Sequence, residues 1–283
     1  MEMNALCSSP TLKNPPGTFP SSPSLQGNRP RVSPLLSSES RKVSFCERPP
    51  LRRNCVLAST VQLDPSLKVK SKAVDLANEL KGTSIFLVGM NGSMKASLGE
   101  LLADVLRYYY FDSDSLVVQA VGGESAVKPL EENNEKELRS SETEALKQLS
   151  SMGRLVVCAG DGAVLSSRNL AYLRHGISVW IDVPLEILAK EAMERGKYSP
   201  FTWPISTSDS FPEVLEKLSK HYEELKDGYA TADARVNLQN VASAKGYEDV
   251  EVVTTEDMAM ETLKEIEKLT RVKKMMEAAA RPF

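Results

Sequence analysis

Cysteine, histidine and long hydrophobic runs are all scarce in this sequence. Its 283 residues include four cysteines and two histidines. No apolar run approaches the roughly 18 residues of a membrane-spanning helix, so we expect no membrane span. Three of the cysteines lie in the first 60 residues. Removal of that segment would leave Cys158 alone and exclude an internal disulfide or a cysteine metal cluster. His175 and His221 lie in helix-like surroundings and are interpreted as surface residues, which leaves little basis for a histidine-based catalytic dyad.

Acidic residues are rare in the first 60 residues. This segment holds three acids against eight lysines and arginines, together with 9 of the 16 prolines and 11 serines. It has no apolar core of the kind a secretory signal needs, so a disordered, Ser-rich organelle transit peptide fits best. The alternative is a disordered Pro/Ser tail. Without the segment Lys and Arg fall from 35 to 27 and Asp and Glu from 38 to 35. The resulting net charge of about −8 argues against general nucleic-acid binding.

Short apolar strands alternate with amphipathic helices from residue 66 onward. The periodicity predicts strands at 84–88, 109–111, 155–158 and 177–183, and helices at 66–80, 96–107, 135–151, 167–174 and 256–279. This alternation predicts an α/β fold with a parallel sheet covered by helices on both faces. Residues 196–210 are rich in Ser, Thr and Pro and are predicted to form a surface loop. The apolar stripe of 256–279 is interpreted as a core-docking face, with a partner site as the alternative.

The octapeptide GMNGSMKA at 89–96 is a near match to a phosphate-binding P-loop. It follows an apolar strand and precedes a helix, as the motif requires. The motif positions that are kept are Gly89, Gly92 and Lys95. Met94 stands where the motif has glycine before the lysine, and Ala96 stands where it has serine or threonine. An ordinary strand-to-helix turn is the alternative interpretation of the octapeptide.

The two departures remove chemistry that nucleotide binding needs. Successive backbone N–H groups of a P-loop wrap the phosphates, so the chain must approach the anion closely. The Met94 side chain is expected to crowd that approach. The hydroxyl after the lysine holds Mg²⁺, and Ala96 has no oxygen to offer. Ser97 lies one residue further on, but that step turns its hydroxyl about 100° around the helix.

The order of the motifs resembles shikimate kinase, the P-loop kinase that phosphorylates the 3-hydroxyl of shikimate. The likeness is strongest to the plant chloroplast enzymes and covers roughly residues 83–267. It is carried by Ile85 to Lys95, Phe111 to Asp114, Val121 to Gly123, Ser151 to Val157, Val179 to Glu186 and Asp233 to Val236. The pattern of substitutions resembles the plant shikimate kinase-like proteins, plastid paralogues regarded as having lost the reaction.

The resemblance implies a three-layer P-loop fold of the nucleoside-monophosphate-kinase type with a central parallel sheet. It divides the chain into a plastid transit peptide at 1–60, a shikimate kinase-like domain at 61–267 and a C-terminal helical extension at 268–283. The location that it implies is the chloroplast stroma.

The resemblance also implies which residues remain from an acceptor pocket. Asp112 matches the carboxylate that serves Mg²⁺ in the family, and Asp114 matches the one that contacts the substrate hydroxyls. Arg139 matches an arginine that pairs with the shikimate carboxylate, and Glu142, one helical turn on, would orient it. An Arg/Glu pair at this spacing is also common on solvated helix surfaces, so that interpretation stays open. Gly160 and Gly162 match two glycines of the family's three-glycine turn.

Three further positions depart from the family pattern. Asp161 replaces the middle glycine of the turn, where its carboxylate would face an anionic acceptor; two like charges about 4 Å apart repel by roughly 4 kcal/mol at an effective dielectric of 20. Ser199 replaces the lid arginine that reaches over the ATP phosphates, with only Lys197 nearby. Leu225 stands where a second substrate arginine is expected.

These departures together favour a catalytically inactive shikimate kinase homologue in the chloroplast. Its role would be non-catalytic or regulatory, in chloroplast development, and would depend on an unknown protein partner or on residual metabolite binding. No cofactor or resident metal is expected, although weak ATP or Mg²⁺ binding stays open. The alternatives are a kinase of altered acceptor specificity that uses Lys95, Asp112 and Asp114, and a sensor of shikimate or nucleotide.

Overall fold

A five-stranded parallel sheet forms the centre of the protein. The computed structural model describes residues 64–123, 135–196 and 209–280. Its strands are β1 Ile85–Val88, β2 Tyr109–Asp112, β3 Leu155–Cys158, β4 Ile177–Asp182 and β5 Ala234–Asn237. They lie in the order β2-β3-β1-β4-β5, and every neighbouring pair is parallel. The predicted parallel sheet is confirmed, and the four predicted strands agree with the observed ones to within one residue at each end.

The register of the sheet places the central strand β1 between β3 and β4. Leu87 of β1 lies opposite Cys158 of β3 on one side and Val179 of β4 on the other. Every residue of β1 and β3 is buried, as expected for strands covered on both faces. The order reverses beside β1, because the chain goes from β1 to an outer strand before it returns to β3. The carboxyl ends of strands at such a reversal form the crevice in which open α/β sheets bind ligands.

Nine α-helices cover the sheet in the described part of the chain. They are α1 Pro65–Leu80, α2 Ser93–Leu106, α3 Ser113–Val121, α4 Glu135–Ser150, α5 Ser167–Leu173, α6 Leu185–Arg195, α7 Phe211–Tyr229, α8 Leu238–Lys245 and α9 Thr255–Ala279. Short 3-10 helices occupy Asp161–Val164 and Val250–Val252. No helix among these residues is both long and apolar enough to cross a membrane. The predicted transit peptide at 1–60 lies outside the described residues, as does nearly all of the predicted loop at 196–210.

The last helix docks on the core along only part of its length. Thr254 caps α9 through a capping box with Asp257, and the first turns bury Met258, Leu263 and Ile266. Further along, α9 packs beside α1, where Lys274 pairs with Glu79 at 3.0 Å. From residue 271 the helix is exposed, including the apolar side chains of Val272, Met275 and Met276. The docking-face interpretation is therefore confirmed for the first half of the stripe and is wrong for its end.

Candidate functional site

The loop after β1 can only be built with glycine at its first position. Gly89 has φ +130°, and a Cβ placed there would lie 2.3 Å from the Ile181 carbonyl oxygen. Neither the conformation nor the contact tolerates a side chain, because the atom in the way belongs to a neighbouring strand's backbone. Gly92 is the N-cap of α2 in extended conformation. The helix starts at Ser93, three residues before its predicted start, so the loop passes directly into α2 as it does in a P-loop.

The loop lysine points into the protein. Lys95 is 3% exposed, and its Nζ donates to the carbonyls of Gly89 at 2.7 Å and Ala159 at 2.8 Å and to Oδ1 of Asn91 at 2.7 Å. Three acceptors use the three protons of an ammonium group. Asn91 in turn donates to Asp114 Oδ2 at 2.8 Å. The lysine therefore connects the loop to the carboxylates at the end of β2.

The first N–H of α2 is bonded to a carboxylate from another helix. The backbone N–H of Ser93 donates to Oε2 of Glu191 at 2.9 Å, and the Ser93 hydroxyl donates to Oε1 of the same side chain. Glu191 lies on α6, and Arg195 one turn later lies 3.4 Å from it. This contact was not predicted, because nothing in the α6 sequence marks one of its acids for the loop.

The two substituted loop positions differ in their surroundings. Met94 is half-buried and packs against the hydrophobic core, so its side chain has become part of the fold. Ala96 is partly exposed on the first turn of α2, and Ser97 is exposed.

The D-S-D segment at the end of β2 supplies one carboxylate to a helix and one to the site. Asp112 caps α3, with Oδ1 accepting from the N–H groups of Asp114 at 2.9 Å and Ser115 at 3.4 Å. Asp114 is buried. Burial, and next the charges of Asp161 and Asp112, raise the pKa of Asp114 to about 7, against the opposing effect of Lys95.

The resemblance places Mg²⁺ ligands at two of these positions. The Asp112 carboxylate is committed to α3, and Ala96 has no oxygen. No group of three or more histidine, cysteine, aspartate or glutamate side chains suited to a metal is present within 64–123, 135–196 and 209–280.

The two glycines of the turn after β3 allow the acceptor-side residues to converge. A Cβ at Gly160 would lie 1.8 Å from Oδ1 of Asp114, and one at Gly162 would lie 1.9 Å from Nη1 of Arg139. Arg139 donates to Glu142 at 3.0 and 3.2 Å, and the Glu142 side chain is only 8% exposed. A solvated surface pair would not bury its carboxylate against a glycine turn, so the pair belongs to the pocket.

Between those glycines lies a buried carboxylate that has few polar contacts among the described residues. Asp161 is 4% exposed, and neither of its oxygens accepts a hydrogen bond from any residue in the described ranges. His221 Nε2 lies 3.6 Å from Asp161 Oδ2, and its side chain is 17% exposed. The interpretation of His221 as a surface residue is therefore wrong, whereas His175 is exposed.

Two further positions bear on the pocket. Leu225, where the resemblance places a second arginine, is buried in the core at 1% exposure. The lid position Ser199 lies outside the described residues, and the expectation for it stays a prediction. A cleft of about 430 Å³ opens beside the pocket and is lined by Arg139, Ser140, Thr143, Gly162, Leu165, Ser166, Arg168 and Asn169.

Comparisons with known proteins show the family to which the sequence is similar. The family model described as shikimate kinase matches residues 91–264. An Arabidopsis thaliana protein named "probable inactive shikimate kinase like 1, chloroplastic" is 54% identical over 257 residues, which cover 88% of each chain. Chloroplastic shikimate kinase 2 of Oryza sativa subsp. japonica is 42% identical over 205 residues, which cover 72% of this chain and 67% of the rice protein.

Solved structures support the fold alone. The shikimate kinase of Bacteroides thetaiotaomicron aligns with a TM-score of 0.52 at 19% identity and covers 68% of this chain and 98% of its own. The Acinetobacter baumannii shikimate kinase, solved in complex with shikimate, aligns with a TM-score of 0.52 at 22% identity and covers 69% of this chain and 97% of its own.

Proposed function

This chain belongs to the shikimate kinase family, and we propose that it has lost phosphoryl transfer and acts in the plastid through a non-catalytic role. The observation that carries the proposal is the buried carboxylate of Asp161. It lies between two glycines at which an added Cβ would meet Asp114 and Arg139, the residues that the family resemblance assigns to the acceptor. A negative charge there would oppose an anionic acceptor and a phosphoryl group.

The other departures act in the same direction. An arginine at the transferring phosphoryl group is worth about 10³–10⁵ in rate, and Ser199 cannot replace it. Loss of one preorganised electrostatic donor typically costs about 10²–10³. These effects are not additive, but the changes at Met94, Ala96, Asp161 and Ser199 leave little of the machinery that would stabilise the transition state.

The location and role rest on the plant relatives. The Arabidopsis and rice proteins are both named chloroplastic, and the acid-poor first 60 residues fit a plastid transit peptide. A regulatory role in chloroplast development, exercised through a protein partner, is the form of non-catalytic function that we favour. The exposed apolar end of α9, within the extension 268–283, offers surface for such a partner.

A second candidate is a metabolite sensor, and Arg139 favours it. Its guanidinium lies against Gly162, is oriented by a nearly buried Glu142 and borders the cleft of about 430 Å³. Bidentate recognition of a carboxylate is what such a group does best. A protein with this side of the pocket and no working phosphate loop could bind shikimate without chemistry.

The test is turnover and binding by the purified full-length chain. We expect no ADP release from ATP, Mg²⁺ and shikimate above background, and no calorimetric signal for ATP with Mg²⁺. An authentic plant shikimate kinase is the positive control. Turnover comparable with that enzyme would overturn the proposal. ADP release that depends on another acceptor and is abolished by Lys95→Ala would instead establish a kinase of altered specificity. Shikimate binding that is lost in Arg139→Ala would identify the sensor.

A further inference from the structure

The carboxylate of Glu191 lies against the start of α2, where the loop ends. Its Oε2 accepts from the first N–H of α2 at 2.9 Å, and its Oε1 accepts from the Ser93 hydroxyl. The same Oε2 lies 3.6 Å from the position of a Cβ on Gly92. The carboxylate is therefore directly over the junction of loop and helix.

That junction is the anion-binding part of a P-loop. The first N–H groups of a helix have no partner within the helix, and the helix dipole favours negative charge beside them. Gly92 supplies no side-chain cap to α2, so these donors are open to an external acceptor. A phosphate is the usual acceptor after a glycine loop of this kind.

We propose that Glu191 is a built-in anion that fills the phosphate position of this loop and excludes phosphoryl groups from it. The inference rests on the proposed function and gives it a second cause, independent of Met94 and Ala96. A phosphoryl group would have to displace the carboxylate from Ser93 and would then lie beside its negative charge. Because Glu191 is fixed on α6 and contacted by Arg195 at 3.4 Å, it competes as an intramolecular ligand at high effective concentration.

The loop lysine completes the closure. Lys95 would have to leave two carbonyls and Asn91 to reach a phosphate. One backbone donor of α2 and the cation of the loop are thus engaged by protein groups. A carboxylate that only caps the helix would also stabilise α2, so the free energy of unfolding does not distinguish a cap from a group that blocks phosphate binding. The affinity of the loop for an anion does.

The experiment measures binding of inorganic pyrophosphate to the full-length chain by calorimetry. We compare the natural protein with Glu191→Ala, Glu191→Gln and a control, Glu194→Ala. The control removes an exposed acid three residues further along the same helix. We expect at least a tenfold tighter Kd for Glu191→Ala and no change for Glu194→Ala. Glu191→Gln should gain less, because its amide oxygen still accepts from Ser93 while the charge is gone.

Identical pyrophosphate affinity in all four proteins would overturn the inference. If Glu191→Ala does not fold, the isosteric Glu191→Gln decides: tighter binding supports the plug and unchanged binding overturns it. Turnover is scored separately. Rapid turnover of ATP and shikimate by the natural protein would overturn the proposed function, whereas unchanged pyrophosphate binding in the variants would overturn only the role of Glu191.

Discussion

The loop at 89–96 and the pocket around Asp114 lie side by side at the carboxyl edge of the sheet, and they differ in how their polar groups are satisfied. In the loop, Ser93 and Lys95 are bonded to Glu191 and to neighbouring acceptors. In the pocket, Asp161 is buried with no hydrogen bond to either oxygen among the described residues. Burial and neighbouring carboxylates raise the pKa of Asp114 to about 7.

The difference shows two ways in which a site can lose its catalytic function. In the loop, the N–H of Ser93 and the ammonium group of Lys95 already have protein acceptors and need no ligand for those hydrogen bonds. A buried carboxylate that accepts no hydrogen bond, beyond its 3.6 Å contact with His221, costs free energy of folding, and a cation or hydroxyl donor that reached it would recover part of that cost. The pocket is therefore the side on which we expect any remaining ligand response.

The substitution expected to destabilise the loop most is Gly89→Ala. The new Cβ would meet the Ile181 carbonyl at 2.3 Å at a φ of +130°, and neither backbone can move without disturbing the sheet. Strain and overpacking together predict a loss of about 3–5 kcal/mol in the free energy of unfolding, measured by urea denaturation.

Gly123→Ala is the matched control for that substitution. Gly123 has a φ of +102°, and no atom of the described residues lies within 4 Å of the added Cβ, so only the conformational cost of about 1 kcal/mol is expected. Equal losses in the two variants would show that the contact with β4 does not hold the loop.

The raised pKa of Asp114 in the pocket should make the stability of the protein depend on pH. Because the pKa of Asp114 rises from 3.8 to about 7 in the folded protein, the folded state binds this proton more tightly than the unfolded chain. The stability contributed by Asp114 is fully present below pH 4 and is lost as the pH rises towards 7. Asp114→Asn should therefore gain roughly 2–4 kcal/mol relative to the natural protein between pH 4 and 7.

Denaturant unfolding at several pH values measures this difference. Other acids shift the absolute stability in the opposite direction; the pKa of Asp257, for example, is lowered by Lys245 despite partial burial. The comparison is therefore made between variant and natural protein at each pH. Asp104→Asn, which removes an exposed carboxylate from α2, controls for loss of one surface charge. A stability difference that does not change with pH would contradict the raised pKa of Asp114.

Local patterns predicted the elements of the fold well. Runs such as Ile85–Val88 are apolar throughout because their strands are buried on both faces, and this signal needs no knowledge of the neighbours. Strand β5 was not predicted from its residues, because Arg235 and Asn237 break the apolar run. The exposed end of α9 was mispredicted because a helical stripe shows which residues share a face but not whether anything lies opposite.

The site was predictable only where its residues are close in sequence or match a family motif. The loop 89–96 could be found from a single octapeptide. The contacts of Glu191 with Ser93 and of His221 with Asp161 join residues 98 and 60 positions apart, and only the fold brings them together.

Within the pocket, the two glycines should respond differently to the same added methyl group. In Gly160→Ala the Cβ would meet Asp114, whose short, buried side chain is held by Asn91, so we expect a loss of about 1–3 kcal/mol in the free energy of unfolding. In Gly162→Ala the Cβ would meet the guanidinium of Arg139. That group is 36% exposed and ends a flexible chain, so it can swing outwards at a cost below about 1 kcal/mol. Urea denaturation of the two variants measures the order. If Gly162→Ala proved the more damaging, Arg139 would be held far more rigidly than its exposure implies, and the pocket would be preorganised on its arginine side as well.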